Sequence, residues 1–241
     1  MKRLLSFILL SFLFLSVQGQ IGRYPFYRIT ATAVAEYEIL SGTAQGHETS
    51  YVTSHPITMP TGVQAGELIL VFVCGNDSRT ISINTGVSGN NWTIESNVTS
   101  DVTRGLVIWK FAEGSDALTL TSVEGTTKIS FISYRISGVD TTNPLTATSA
   151  TGASTNADPP SNTPEYGTYE YIWLVVAAIA EDTAPSAAPA DFTGLITETG
   201  ENGSLGVAYR LYETDAAYNP GVFTSNLRYW ITFTVIVNPV Q

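Results

Sequence analysis

The sequence predicts an all-β sandwich of about eleven strands, and three observations carry that expectation. Short runs rich in Val, Ile, Thr, Phe, Tyr and Trp alternate with clusters of Gly, Pro, Asn and Asp, the rhythm of strands and turns. No stretch joins capping residues to a 3.6-residue apolar period, so no helix competes. The order of the apolar runs also repeats itself at a spacing of about 100 residues. Many short strands without helices close as sandwiches or barrels.

The first twenty residues stand apart. Lys2 and Arg3 precede an apolar run from Leu4 to Val17, and Gln18-Gly19-Gln20 offers a small residue for cleavage. This is the three-part pattern of an export leader. The run is shorter than the about 20 apolar residues that cross a bilayer, and no later segment is long enough either. Division into a leader (1–20), an N-terminal arm (21–50) and a sandwich domain (51–241) follows. The expected location is secreted or cell-surface, with no membrane insertion after the leader is removed. The rest, about 220 residues, can fill one large β domain.

Charge and cysteine content narrow the partners. Without the leader, nine basic residues face 21 acidic ones, a net charge near −12. Such a chain repels phosphate backbones and anionic lipid, which argues against nucleic-acid or membrane-surface binding. Cys74 is the only cysteine, so no intrachain disulfide forms, and a buried inert thiol is expected. A disulfide-free exported protein of this size points to a bacterial or viral context. Sequons at Asn76, Asn91, Asn97 and Asn202 matter only in a eukaryotic secretory pathway.

Along the chain, the arm opens with a basic-aromatic cluster, Ile21 to Arg28, and leads through Ser41–Gly46 into the domain. The clearest strand candidates are Glu67–Cys74, Leu106–Phe111, Leu118–Ser122, Thr127–Ser137, Tyr171–Ala180, Leu205–Tyr212 and Leu227–Val237. Ser54–Thr58, Trp92–Val98, Leu145–Ser149 and Leu195–Thr199 are weaker. Lys128 to Tyr134 alternates polar and apolar residues, as a sheet with one dry face does. Tyr171–Ala180 is apolar throughout, as a central strand is. Thr142–Tyr169, rich in Thr, Ser, Ala, Asn and Pro, reads as a linker between halves.

Four elements repeat in order. Glu67–Asp77 pairs with Tyr171–Asp182, Asn91–Ser96 with Asp191–Glu198, Leu106–Gly114 with Leu205–Glu213, and Lys128–Gly138 with Arg228–Asn238. Repeated order points to two similar sub-units. Each alone would leave a large apolar sheet face bare, so two pseudo-symmetric halves sharing one core are expected.

Pro60 to Leu68 (Pro-Thr-Gly-Val-Gln-Ala-Gly-Glu-Leu), the loop before Trp92, Trp109-Lys110-Phe111-Ala112, Arg135 to Val139, Asn219-Pro220-Gly221 and the Trp230 strand ending at Pro239 carry a resemblance. Over roughly Ser54–Pro239 the chain resembles a β-sandwich module of exported bacterial surface proteins and of phage virion and tail proteins. The leader followed by Ile21–Arg28 resembles the start of exported and phage-associated proteins of Bacteroidota. The resemblance implies a jelly-roll-like fold in a surface or virion context. Its motifs are structural punctuation and bring no catalytic residue.

The residues themselves supply no reaction motif. His47 and His55 lack the helical spacing of a metal site and any nucleophile elbow. Glu36 and Glu38 share a strand face. Glu181-Asp182 and Glu213/Asp215 end strands, without a calcium-loop pattern. The expectation is a non-enzymatic structural or adhesive protein, with no cofactor and no metal, that acts through protein partners or self-assembly. Arg23, Tyr24, Phe26, Tyr27 and Arg28 are the candidate assembly residues, because an extended basic-aromatic arm can add a strand to an acidic neighbour. The alternative is a lectin-like module stacking sugars on Trp92, Tyr166 and Tyr169; core packing competes for Trp92, as it does for Tyr171. A third class, a glycoside hydrolase, requires two carboxylates across one cleft.

Overall fold

The computed structural model describes residues 36–241 apart from 78, 84–90, 124 and 202, and Val34–Gln241 is a compact unit. Among the described residues there is no helix. Fourteen strands are present among them: β1 (Glu38–Ile39), β2 (Ala44–His47), β3 (Ser54–Ile57), β4 (Leu68–Gly75), β5 (Ile81–Ile83), β6 (Thr93–Thr99) and β7 (Arg104–Phe111) come first. The chain continues as β8 (Leu118–Ser122), β9 (Ile129–Ser137), β10 (Leu145–Ala157), β11 (Tyr169–Ile179), β12 (Thr193–Gly200), β13 (Gly203–Thr214) and β14 (Phe223–Val237). The all-β class is as the sequence predicts. The strands beyond eleven are mostly short ones in the arm and in connections, where periodicity is too brief to register.

The two halves build one sheet each, in the same order. The first sheet runs β9-β4-β7-β6, with β1 and β2 both on the outer edge of β9; the second runs β10-β14-β11-β13-β12. All pairings are antiparallel. Residues 68–75 of β4 lie opposite 111–104 of β7, as 172–179 of β11 lie opposite 211–204 of β13. Even the irregularities agree. A bulge between Ile94 and Ser96 sits against Val107, and one between Thr193 and Ile196 sits against Val207. The repeat seen in the sequence is therefore a repeat of topology, register and bulge.

Burial explains the continuously apolar strands. Leu68, Leu70, Phe72 and Cys74 of β4 face Ile172, Leu174, Val176 and Ala178 of β11 across a core shared by both sheets. The opposite face of β4 (Ile69, Val71, Val73) is covered by a third sheet, β3-β8-β5, through Ile57, Ile81, Leu118 and Leu120. The opposite face of β11 (Tyr171, Trp173, Val175) is covered by Phe192, Ala188 and Tyr218 from connections. One reduced ladder remains there: Asn162 and Tyr218 exchange backbone hydrogen bonds of 3.2 and 3.0 Å. Sheets buried on both faces need no polar alternation.

Within the stretch read as a linker, the weak candidate Leu145–Ser149 extends much further than its sequence suggests. Leu145–Ala157 is a thirteen-residue strand pairing along nearly all of β14. Its Thr, Ser and Ala side chains hide the apolar half of an alternation. The second part of the arm belongs to the sandwich as well: β1 and β2 pair with β9. Tyr37 closes the end of the core, its hydroxyl donating to Val237 O and accepting from Ile172 N at 2.8 Å.

Three neutral groups in that core set an alkaline limit. Burial pushes the Cys74 thiol up to about 11, with Thr103 and Ile179 partly offsetting it. Burial also raises Tyr37 and Tyr134 above the usual phenol range. Each group's folded pKa exceeds its unfolded value, so its stabilisation is complete below the unfolded pKa and lost as pH rises towards the folded one. Urea midpoints should hold to about pH 8 and fall from pH 9 upward, with Cys74 alone contributing on the order of 2–3 kcal/mol by pH 11. Cys74→Ala should flatten the first part of that fall. Rapid labelling of the native thiol by a disulfide reagent at pH 8 would contradict it.

Candidate functional site

Arg23, Tyr24, Phe26, Tyr27 and Arg28 lie outside the described residues. The three aromatics expected to bind sugar do not share one surface. Trp92 is only 8% exposed, packed under the third sheet, and its Nε1 donates to Ala117 O at 2.9 Å; its ring offers no face for stacking. Tyr166 and Tyr169 flank the start of β11 in the second half. Tyr166 Oη donates to Asp140 Oδ2 at 2.9 Å, and the Thr142 N–H at 2.7 Å holds that carboxylate below the usual range. Tyr169 is 43% exposed and meets buried Tyr171 edge-on, 6.3 Å between centroids.

The titratable candidates are spread out and serve mostly as ties. His47 Nδ1 lies 2.5 Å from Glu198 Oε1, and Gln45 Nε2 donates to Thr197 O, so β2 is fastened to β12 of the other sheet. His55 is buried with Nδ1 2.7 Å from Glu48, which also accepts from Ile129 N. Glu181 pairs with Arg228. Glu36, Glu38, Asp182, Glu213 and Asp215 are exposed. Among the described residues no group of three or more His, Cys, Asp or Glu gathers as a metal site would require.

The other side of the sandwich is different. There β6 and β10, the edges of the two sheets, run beside each other. A shallow cleft of about 470 Å³ opens at that seam, lined by Thr99, Ser100 and Asp101 of the β6–β7 turn, by Thr151, Gly152 and Ala153 of β10, and by Tyr229. Tyr229 is 42% exposed. Gly152 is required because a Cβ there would lie 2.3 Å from Trp230, whose Nε1 donates to Ser154 Oγ.

The strand bordering this cleft is open over its middle. β10 pairs with β14 on one side only, and among the described residues no backbone bond outside that ladder engages it. Side chains reach its backbone near the ends, from Asn162 to Thr146 O and from Ser225 to Thr155 O. Ala147–Ala153 is left bare. The strand carries no charged residue and no proline. Sequence reasoning found only its start, Leu145–Ser149, as a weak strand, because low apolarity reads as linker. The available signal was the Thr-Ala-Thr alternation with no Gly or Pro until Gly152. A second shallow cleft beside Asp191 holds Arg210 over the Tyr212 and Tyr218 rings at 4.1 and 5.1 Å. Asp191 is the one non-glycine residue of positive φ (68°) among those described.

No family model, curated relative or solved structure matches this chain. Geometry and sequence alone carry the functional argument.

Proposed function

We propose that this protein is a non-enzymatic exported building block, a structural or adhesive subunit of an extracellular assembly or virion. The observation that carries the reading is the distribution of unmet bonding. The central strands of both sheets are covered on both faces, whereas one long uncharged edge, β10, has no backbone partner on its outer side over Ala147–Ala153 among the described residues. Edges of this kind are normally blunted by charge, proline or brevity, and an unblunted one templates pairing with another chain. The leader, the basic-aromatic arm and the resemblance to surface and virion modules agree with it.

The test compares the chain from Ile21 with its truncation from Val34 by light scattering. The longer form should assemble as concentration rises, and the truncated form should remain a folded monomer. The cut must stop at Ala33, since Tyr37 and β1 are part of the sandwich. Monomers in both samples at every concentration would refute the reading.

Glycan binding is the second reading, favoured by one observation: Tyr229 and Asp101 stand together with the hydroxyls of Thr99, Ser100 and Thr151 around an open cleft. An exposed ring with a carboxylate and hydroxyls beside it suits a pyranose. Binding on a glycan array that Tyr229→Ala removes would support it over the first.

A further inference from the structure

We propose that the arm Ile21–Ala33 of one copy adds as a strand to the bare edge of β10 in a second copy, so that the chain assembles head to tail. This rests on the reading of the protein as an assembly subunit, and names the acceptor, the donor and the symmetry.

The acceptor is singled out by comparing the edges. β1 and β2 are two and four residues long and interrupted. β12 is fastened to β2 through His47–Glu198 and Gln45–Thr197. β6 is bulged and carries Glu95. Among the described edges only β10 is long and uncharged, and its one bulge, between Ser154 and Asn156, lies beyond Ala147–Ala153. A strand laid along Ala147–Ala153 would also pass the cleft of Tyr229 and Asp101, which can receive alternate side chains.

The donor is singled out by charge and pattern. All 21 acidic residues of the chain lie at or after Glu36, against seven basic ones, a net −14. Residues 21–35 contain Arg23 and Arg28 and no acid. Copies of the acidic body repel each other, and the arm is the segment of this chain able to approach it with attraction. From Phe26 to Ala33 its residues alternate, with Tyr27, Ile29, Ala31 and Ala33 on one face and Phe26, Arg28, Thr30 and Thr32 on the other. Asp101 in the cleft is a partner for an arginine.

The symmetry follows from where the described chain begins. Glu36 is held by Ser137 Oγ on β9, on the β1 edge of the first sheet. The β6–β10 seam is at the opposite edge. Four strand spacings separate β1 from β6, about 19 Å. Donor and acceptor therefore leave opposite sides of one molecule. An interface of that kind is heterologous and propagates as an open chain rather than closing as a twofold dimer. Thirteen extended residues span roughly 43–47 Å, enough to reach along a neighbour's edge.

The experiment uses a labelled synthetic peptide, Ile21–Ala33, titrated into the chain truncated at Val34, and read by fluorescence anisotropy. Saturable binding is expected. Of two peptide variants, Thr30→Pro with Thr32→Pro and Ala31→Pro with Ala33→Pro, at least one should bind ten-fold or more weakly, because proline removes the N–H that faces the ladder. A disulfide should form between a peptide bearing Ala31→Cys and the truncated chain bearing Thr151→Cys, and not with Glu95→Cys on β6. Absence of peptide binding, or binding by both proline peptides as tight as that of the unsubstituted peptide, overturns the strand addition. If the chain from Ile21 still assembles in that case, the assembly reading survives and this inference alone falls. A chain from Ile21 that stays monomeric while the peptide cross-links at residue 151 shows the arm docking on its own molecule, which overturns the head-to-tail order.

Discussion

Trp173→Ala is expected to lower the free energy of unfolding by about 3–5 kcal/mol, the range for removing a fully buried large aromatic. Trp173 is the keystone of the layer that covers the second sheet's outer face. Its ring meets Tyr218 edge-on at 5.6 Å between centroids and Tyr212 at 6.5 Å, in the cluster that also holds Phe192 and Phe223. On the first sheet the corresponding position is Ile69, which lies under regular strands. The second half lacks that three-stranded cover, and bulky rings fill the space beneath irregular connections instead. A cavity there cannot be closed by sliding a strand, so little of the loss is recovered. Trp173 Nε1 is buried without a hydrogen-bond partner, so Trp173→Phe forfeits no bond and should cost less than half as much. Urea denaturation followed by circular dichroism gives both values, and limited proteolysis should show new cleavage at 215–222 in the Ala variant. A loss below about 1 kcal/mol would mean that this outer layer is not packed as described.

The contrast between the halves also shows what could be read from the sequence. β4 and β11 were legible because sheets covered on both faces leave unbroken apolar runs, such as Leu68–Cys74 and Tyr171–Ile179. The repeat was legible in the order of its elements, since the constraint acts on topology and core volume rather than on identity. β10 was legible only in part, as the weak candidate Leu145–Ser149, because an edge strand facing solvent along much of its length needs few apolar residues, and Leu145–Ala157 has little besides Leu145 to mark it. β3 was weak and β5 absent for a related reason, since a covering strand of three or four residues contributes too few periods, whereas the five residues of β8, Leu118–Ser122, alternate clearly enough to be read. The rest of β10, beyond Ser149, was missed because its lack of charge and bulk made it resemble a linker. Trp92 went the other way, a strong residue at a turn whose chemistry is spent on the core.

A swap across the pseudo-twofold gives the sharpest test of the shared core. Gly105 lies opposite Cys74 in the first sheet, and its counterpart opposite Ala178 is Leu205. Phe233 lies opposite Val176, and its counterpart opposite Phe72 is Ile132. A Cβ at Gly105 would stand 2.8 Å from Phe233 Cε2 and 3.1 Å from Ile231 Cγ2. One pair across the two sheets thus sets glycine against phenylalanine where its pseudo-symmetric counterpart has leucine and isoleucine, the volume being conserved in the pair and not at either site. Gly105→Leu alone should overpack the interface and cost about 3 kcal/mol or more. Phe233→Ile alone should leave a void worth roughly 1–3 kcal/mol. Together they rebuild the combination of Leu205 and Ile132, so the double variant should be more stable than Gly105→Leu, with a coupling of about 2 kcal/mol in the double-mutant cycle. Additivity within about 0.5 kcal/mol would mean that the two sheets do not meet at these positions, because only residues in contact can compensate each other's volume.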